Sequence, residues 1–182
     1  TYFPRLCLIQ IAGEGEAAII DPLAADINLE PVFTLLKKPD LNKVFHACRQ
    51  DIEIFYLLSG VIPVNIFDTQ IAASVCGYGE SVSYETLVNK IVGQELDKSS
   101  RFTDWSARPL SEKQLDYALS DVTHLCRIYE HLKEKIEREG RISWIFEEHA
   151  KLSDASLYQL EPEDAWKRLR YGSMRPKHLA VL

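Results

Sequence analysis

The stretch KVFHACRQDIEIF, Lys43 to Phe55, changes its hydrophobic period partway along. Lys43 to Phe45 reads as a short buried strand, and Gln50 to Leu58 reads as a helix ended by Ser59-Gly60. A carboxylate, Asp51, stands in the first turns of that helix. By three- and four-residue spacing it shares a face with Ile54, Phe55 and Leu58, so it leans toward the core. An ionised group there needs a cation, a metal or several hydrogen bonds around it. Bonding to backbone N–H groups at the helix N-terminus is the alternative that requires no function.

Upstream of this stretch, Leu6 to Ala12 and Ala17 to Ile20 read as two strands joined by the GEGE turn. Leu29 to Lys38 has helical spacing and stops before Pro39. Downstream, Val64 to Phe67 reads as a strand, Asp68-Thr69 opens a helix through Cys76, and Tyr84 to Val92 is a further amphipathic helix. A polar segment, LDKSSRFTDWSARPL, precedes a long helix expected from about Glu112 to Glu139. A hairpin followed by alternating strands and helices indicates an α/β fold with a mixed sheet flanked by helices.

The length of 182 residues fits one ordinary domain. We expect it to occupy residues 1–150, with 151–182 forming a short helix and a basic connector. The 46% hydrophobic and 26% charged composition is that of a globular protein. No apolar run approaches the roughly 18 residues a membrane helix needs, which excludes a membrane-spanning role on this pattern. Cys7, Cys48, Cys76 and Cys126 are scattered singly without zinc-like spacing, and they read as reduced thiols of a cytoplasmic protein. The net charge is −6, yet from Trp166 onward the chain carries Lys167, Arg168, Arg170, Arg175 and Lys177 and no acid. A basic end on an acidic body suits either a polyanion-binding flap or a linker to a further segment.

The long helix supplies a second carboxylate. Ser111 and Gln114 fit a capping box, which places the helix start. Asp121 then lies only about 40° around the helix from Leu125, on the apolar side, and Tyr117 precedes it by four residues. A Tyr and Asp pair at this spacing is often a structural contact. Two inward-leaning Asp residues on different helices also meet the needs of a divalent-cation site, because carboxylate oxygens suit Mg²⁺ and Mn²⁺ and the ion offsets their repulsion.

HACRQD (46–51), FDTQIAA (67–73), LDKSSRFTDWSARPLSEKQLDYALSDVTHL (96–125) and PEDAW (162–166) together resemble bacterial ribonuclease D, a member of the DEDDy 3′→5′ exonucleases on the RNase H-like fold. The resemblance spans most of the chain and rests on the order and spacing of short motifs. It implies that Asp51 and Asp121 are metal ligands for two divalent cations, Mg²⁺ or Mn²⁺, and that Tyr117 positions the attacking water. His46 is a weaker candidate for substrate contact, with a strand-ending core histidine as the equal alternative. Lys98, Arg101, Trp105 and Arg108 could hold phosphates and stack a base, as mixed basic and aromatic residues do in single-strand binders. Trp105 as a core plug and Arg108 as a structural ion pair are the competing assignments. Asp68 reads as a cap on the helix that follows it.

The family's first motif, an Asp-x-Glu on its first strand, is absent from the sequence, and Asp51-Ile52-Glu53 cannot replace it because residues two apart lie about 200° apart on a helix. The expectation is therefore an RNase H-like sheet lacking its first strand, with a gap where that strand's hydrogen-bond ladder would run. The implied activity is 3′→5′ exonucleolytic hydrolysis of RNA, with single-stranded RNA 3′ ends and tRNA precursors as partners and nucleoside 5′-monophosphates as products. A DNA exonuclease with the same chemistry and a non-catalytic RNA-binding module are the alternatives. The basic end is expected to lead to helical RNA-binding domains.

Overall fold

The computed structural model describes residues 4–13, 15–97 and 99–159. Strands β1 (Ile9–Gly13) and β2 (Glu16–Ile20) form an antiparallel hairpin in register from Ile9 opposite Ile20 to Gly13 opposite Glu16. Helix α1 (Glu30–Lys37) follows, with Pro31 in its first turn, where a missing N–H costs nothing. Strand β3 (Lys43–Phe45) then leads into α2 (Arg49–Ser59), which Gly60 closes in the left-handed conformation at φ 68°, as a Schellman-type end requires. Strand β4 (Ile66–Asp68) pairs parallel with β3, Lys43 opposite Ile66 and Phe45 opposite Asp68, and turns directly into α3 (Thr69–Val75).

The short α4 (Tyr84–Leu87) runs on as a π-helical turn, Val88–Val92. Ser111 and Gln114 form the expected capping box at the start of α5 (Glu112–Thr123). The single long helix expected from about Glu112 to Glu139 is instead two. His124 interrupts it, and α6 (Leu125–Arg138) continues beyond. The break has a tertiary cause: the Tyr84 hydroxyl donates to the Ser120 carbonyl at 3.1 Å and accepts the His124 N–H at 3.3 Å. Helix α7 (Ile142–Leu152) and a 3₁₀ turn, Ala155–Leu157, complete the described elements.

Three buried clusters hold these elements together. Ala72 and Ala73 of α3, Leu87 and Val88, Ile128, Leu132 and Ile136 of α6 and Ile145 of α7 make the largest. Ile9, Val32, Phe33, Leu36, Phe55 and Val61 pack the hairpin on α1 and α2. Cys48, Ile52, Ile66, Leu152 and Tyr158 form the third, so the packed body runs through at least residue 158. Each large aliphatic side chain buried here contributes about 1.5–3 kcal/mol. The buried stripe of α2 is Ile52 and Phe55, while Leu58 is largely exposed, so Asp51 sits at the margin of the packed face and not within it.

The architecture is the mixed α/β sheet flanked by helices that the motifs implied, and its sheet is interrupted. Among the described residues β1–β2 and β3–β4 are separate two-stranded ladders. A cleft of about 360 Å³ is lined by Ile9 and Gln10 on one side and by Val44, Phe45 and His46 on the other. Residues of both ladders thus line one cleft. No helix among the described residues is long and apolar enough to cross a membrane. The basic stretch after Trp166 and Lys98 lie outside the described residues.

Candidate active site

The placement of Asp51 begins with Asp68. This carboxylate is 2% exposed and caps α3 by accepting from the N–H groups of Gln70 at 2.8 Å and Ile71 at 3.3 Å. Its two oxygens also accept from Ala47 N at 3.1 Å and Cys48 N at 2.8 Å, across from β4 to the turn after β3. Ala47 has φ 57°, a left-handed conformation that costs an L-residue roughly 1–2 kcal/mol. Asp68 holds that turn in shape, and the turn sets the direction in which α2 leaves the sheet with Asp51 in its first turn.

Asp51 and Asp121 both line the 360 Å³ cleft, one from α2 and the other from α5. Asp121 also lines an adjoining cavity of about 250 Å³ with Tyr117, Arg101, His46 and Tyr84. Water reaches Asp51 from the open side while protein crowds it on the others. Burial raises its pKa to about 6, and the Asp68 charge adds to the effect. Asp121 is raised to about 6 as well, by burial, which the nearby Arg101 partly opposes. Two carboxylates crowded into one cleft are the hard oxygen donors a divalent cation takes. Among the described residues no group of three or more His, Cys, Asp or Glu side chains gathers at ligating distance, so the pair fits such an ion as part of a ligand set.

Because ligation needs ionised carboxylates, metal affinity should rise with pH through 6. With both groups near pKa 6, the doubly ionised fraction grows on the order of a hundredfold between about pH 5 and pH 7. Stability moves the other way without metal. Folding lifts both groups above their ordinary 3.8, so the folded state holds protons that the unfolded chain releases. Their stabilising contribution is complete below about pH 4 and is lost as pH rises through 6. Melting in EDTA should therefore occur at lower temperature at pH 7.5 than at pH 5 as far as these groups contribute, and Mn²⁺ should reverse the difference at pH 7.5. Equal effects of Mn²⁺ on Tm at pH 5 and 7.5 would contradict this.

His46 follows β3 directly, with its Nδ1 at 2.9 Å from the Thr69 hydroxyl, which itself donates to the Phe45 carbonyl. The imidazole N–H is thus on Nδ1, and Nε2 is buried with no hydrogen-bond partner among the described residues. Burial lowers the pKa of His46, against the charge of Asp68 and the Val82 carbonyl, and keeps the ring neutral. The Trp105 ring lies 5.9 Å from that of Tyr117 and fixes the polar segment against α5. Burial raises the Tyr117 pKa, and the Asp121 charge adds to it, so the phenol keeps its proton.

Arg108 points elsewhere. Its five N–H donors are engaged with both Asp21 oxygens at 2.6 Å and with the carbonyls of Cys7, Trp105 and Ala107. The guanidinium ties the polar segment to the β2 end and has no donor left for a phosphate. The structure thus gathers Asp51, Asp121, Tyr117, His46 and Arg101 around two adjoining cavities, sets Trp105 behind Tyr117, and leaves Arg108 outside the group.

Tyr84 is the residue of this site that sequence reasoning missed. It lines both cavities, its ring lies 5.7 Å from that of His46, and its hydroxyl holds the α5–α6 break three residues past Asp121. Tyr84→Phe should cost about 1 kcal/mol, measured by urea denaturation, by removing the hydroxyl that bridges the His124 N–H and the Ser120 carbonyl, which keep only the Val122 carbonyl and the Thr123 hydroxyl as partners. A change under about 0.3 kcal/mol would mean the break stands without it.

Comparison with known proteins places the chain in a family. A family model described as 3′-5′ exonuclease matches residues 1–137. The chain is 50% identical to ribonuclease D of Acidiphilium cryptum over 182 residues, covering all of this chain and 46% of that protein. It is similar to the crystal structure of Escherichia coli RNase D, described as an exoribonuclease involved in structured RNA processing, with TM-score 0.84 and 36% identity over 92% of this chain and 44% of that one. Brucella melitensis NrnC with bound Mg²⁺ is similar at TM-score 0.77 and 27% identity, over 93% of this chain and 83% of that one. The chain spans about half the length of the curated ribonuclease D relatives it matches. On the family match over residues 1–137, the chain belongs to the 3′-5′ exonuclease family.

Proposed function

We propose that the chain is the catalytic domain of a ribonuclease D-type enzyme that removes nucleotides one at a time from the 3′ end of RNA and releases nucleoside 5′-monophosphates. The observation that carries this is the convergence of Asp51 and Asp121, from two helices, on one cleft, with Tyr117 one turn before Asp121. The family is dependent on divalent metal. We assign two divalent cations, Mg²⁺ or Mn²⁺, to the site at Asp51 and Asp121, which would hold them as part of a larger ligand set. Bound there, the cations would supply Lewis acidity to the attacking and departing oxygens of the phosphodiester.

The chain's own groups do the rest. Asp51 and Asp121 are ionised above about pH 6 and attract the cations. Tyr117, protonated and backed by Trp105, donates to and orients the attacking water. Arg101 faces the same cavity and holds a phosphate of the strand. His46, neutral with its bare Nε2 buried beside the cavities, shapes the substrate path on the β3 side.

The proposed substrates are tRNA precursors and other small structured RNAs with single-stranded 3′ ends, in the cytoplasm. A 5′-labelled single-stranded RNA and the matched DNA, incubated in Mn²⁺, test the reading. A ladder shortening from the 3′ end of the RNA, with nucleoside 5′-monophosphates released, is the expected result. Shortening of the DNA alone would replace it with a DNA exonuclease, and internal cuts would overturn it.

A further inference from the structure

The polar segment between the π-helical turn and α5 contains a feature that the mechanism above does not use. Thr103 N–H donates to the Ser100 carbonyl at 3.2 Å, closing a tight turn with Arg101 and Phe102 at its tip. The turn is tied down on both sides. Ser100 is 4% exposed and its hydroxyl donates to the Lys113 carbonyl, while Gln114 Nε2 donates to the Thr103 hydroxyl and the Asp104 carbonyl on α5's flank. Despite this anchoring, the Phe102 side chain is 92% exposed, the most exposed large hydrophobic group among the described residues.

A single exposed apolar side chain is ordinary on a protein surface. Phe102 differs by its position. The Arg101 guanidinium carbon lies 5.3 Å from the Phe102 ring centre, and Arg101 lines the 250 Å³ cavity with Tyr117 and Asp121. A rigid turn therefore presents a cation and a bare π-face together, at the rim of the cavity where the proposed scissile phosphate lies. That combination is the one by which single-stranded nucleic acid is held: the cation tracks the backbone and the ring stacks a base, with no preference for which base.

We propose that Phe102 is a stacking platform for one base of the RNA strand near its 3′ end, with Arg101 on the adjoining phosphate. This rests on the exonuclease reading of the same site and adds to it a specific contact for single-stranded substrate. A base inside a duplex has both faces covered by its neighbours, so the contact favours single-stranded or frayed ends over duplexed strand.

The test is fluorescence anisotropy of a 5′-fluorescein 12-mer single-stranded RNA in EDTA, with the intact protein, Phe102→Ala and Phe102→Trp. Loss of one stacked base should weaken binding about tenfold in Phe102→Ala, and the Trp variant should restore it. An abasic residue is then placed at each of the last four positions in turn. One position should weaken the wild type by that same factor and leave Phe102→Ala unchanged. Equal affinity of wild type and Phe102→Ala, or abasic effects identical in the two proteins at every position, would overturn the proposal while leaving the exonuclease reading intact. Absence of RNA binding by the wild type would overturn the platform, and absence of cleavage in Mn²⁺ the exonuclease reading. Binding with the predicted coupling but no cleavage in Mn²⁺ would support the platform and remove the exonuclease reading alone.

Discussion

Asp121→Asn is expected to lower exonuclease activity by at least about a hundredfold while raising the melting temperature of the metal-free protein at pH 7.5. The first effect follows from ligation. Losing an outer partner of a metal ligand already costs about 10–100-fold, and a direct ligand should cost no less. The second follows from burial. Asp121 is crowded enough that its pKa rises to about 6, so at pH 7.5 it holds a charge the fold opposes. Asn has the same shape without that charge. Opposite movements of activity and stability would separate a functional carboxylate from a structural one, because loss of a structural carboxylate lowers both. Retained activity, or a fall in Tm in EDTA, would contradict the assignment.

Asp68→Ala is expected to destabilise the protein by about 3–5 kcal/mol, a large part of the 5–15 kcal/mol typical of a domain. Four N–H groups, those of Ala47, Cys48, Gln70 and Ile71, would lose their acceptor at once. Gln70 and Ile71 belong to the α3 cap, whose loss alone costs about 1 kcal/mol. Ala47 and Cys48 form the turn that aims α2, so the left-handed Ala47 would lose what holds it. Activity should fall beyond the loss of folded protein, since Asp51 follows that turn by four residues. Urea denaturation measures the first effect and kcat at full folding the second. A cost below about 1 kcal/mol would show that water replaces the carboxylate without consequence.

The features legible in the sequence are those fixed by neighbours along the chain. Ser111 with Gln114, Gly60 after the α2 pattern, the GEGE turn of the hairpin and Asp68 before α3 each act within a few residues, and each stands where its local chemistry puts it. The break at His124 was not legible because SDVTHLC contains no proline or glycine. It depends on a hydroxyl 40 residues upstream. For Arg108 the sequence left a phosphate contact and a structural ion pair open, because the partner that makes the ion pair, Asp21, lies 87 residues away. Helix α7 escaped because exposed Trp144 and Phe146 interleave with buried Ile145 and blur the helical stripe. Asp51 was singled out by its spacing to Ile54, Phe55 and Leu58, yet Leu58 is exposed and the buried stripe runs through Ile52 and Phe55, which spacing alone does not distinguish. Phe102 had no local signal that it would stand clear of the protein, since its turn is anchored to α5 by the bonds from Gln114 to Thr103 and from Ser100 to the Lys113 carbonyl, more than ten residues along the chain.

The central claim is that Asp51 and Asp121, from separate helices, hold divalent cation together. Calorimetric titration of Mn²⁺ into the wild type, Asp51→Asn and Asp121→Asn at pH 7.5 tests it most directly. The account predicts binding by the wild type that each substitution weakens at least about tenfold, with the double variant little worse than either single one, as expected for ligands of one site. Unchanged Mn²⁺ binding in both single variants would contradict it.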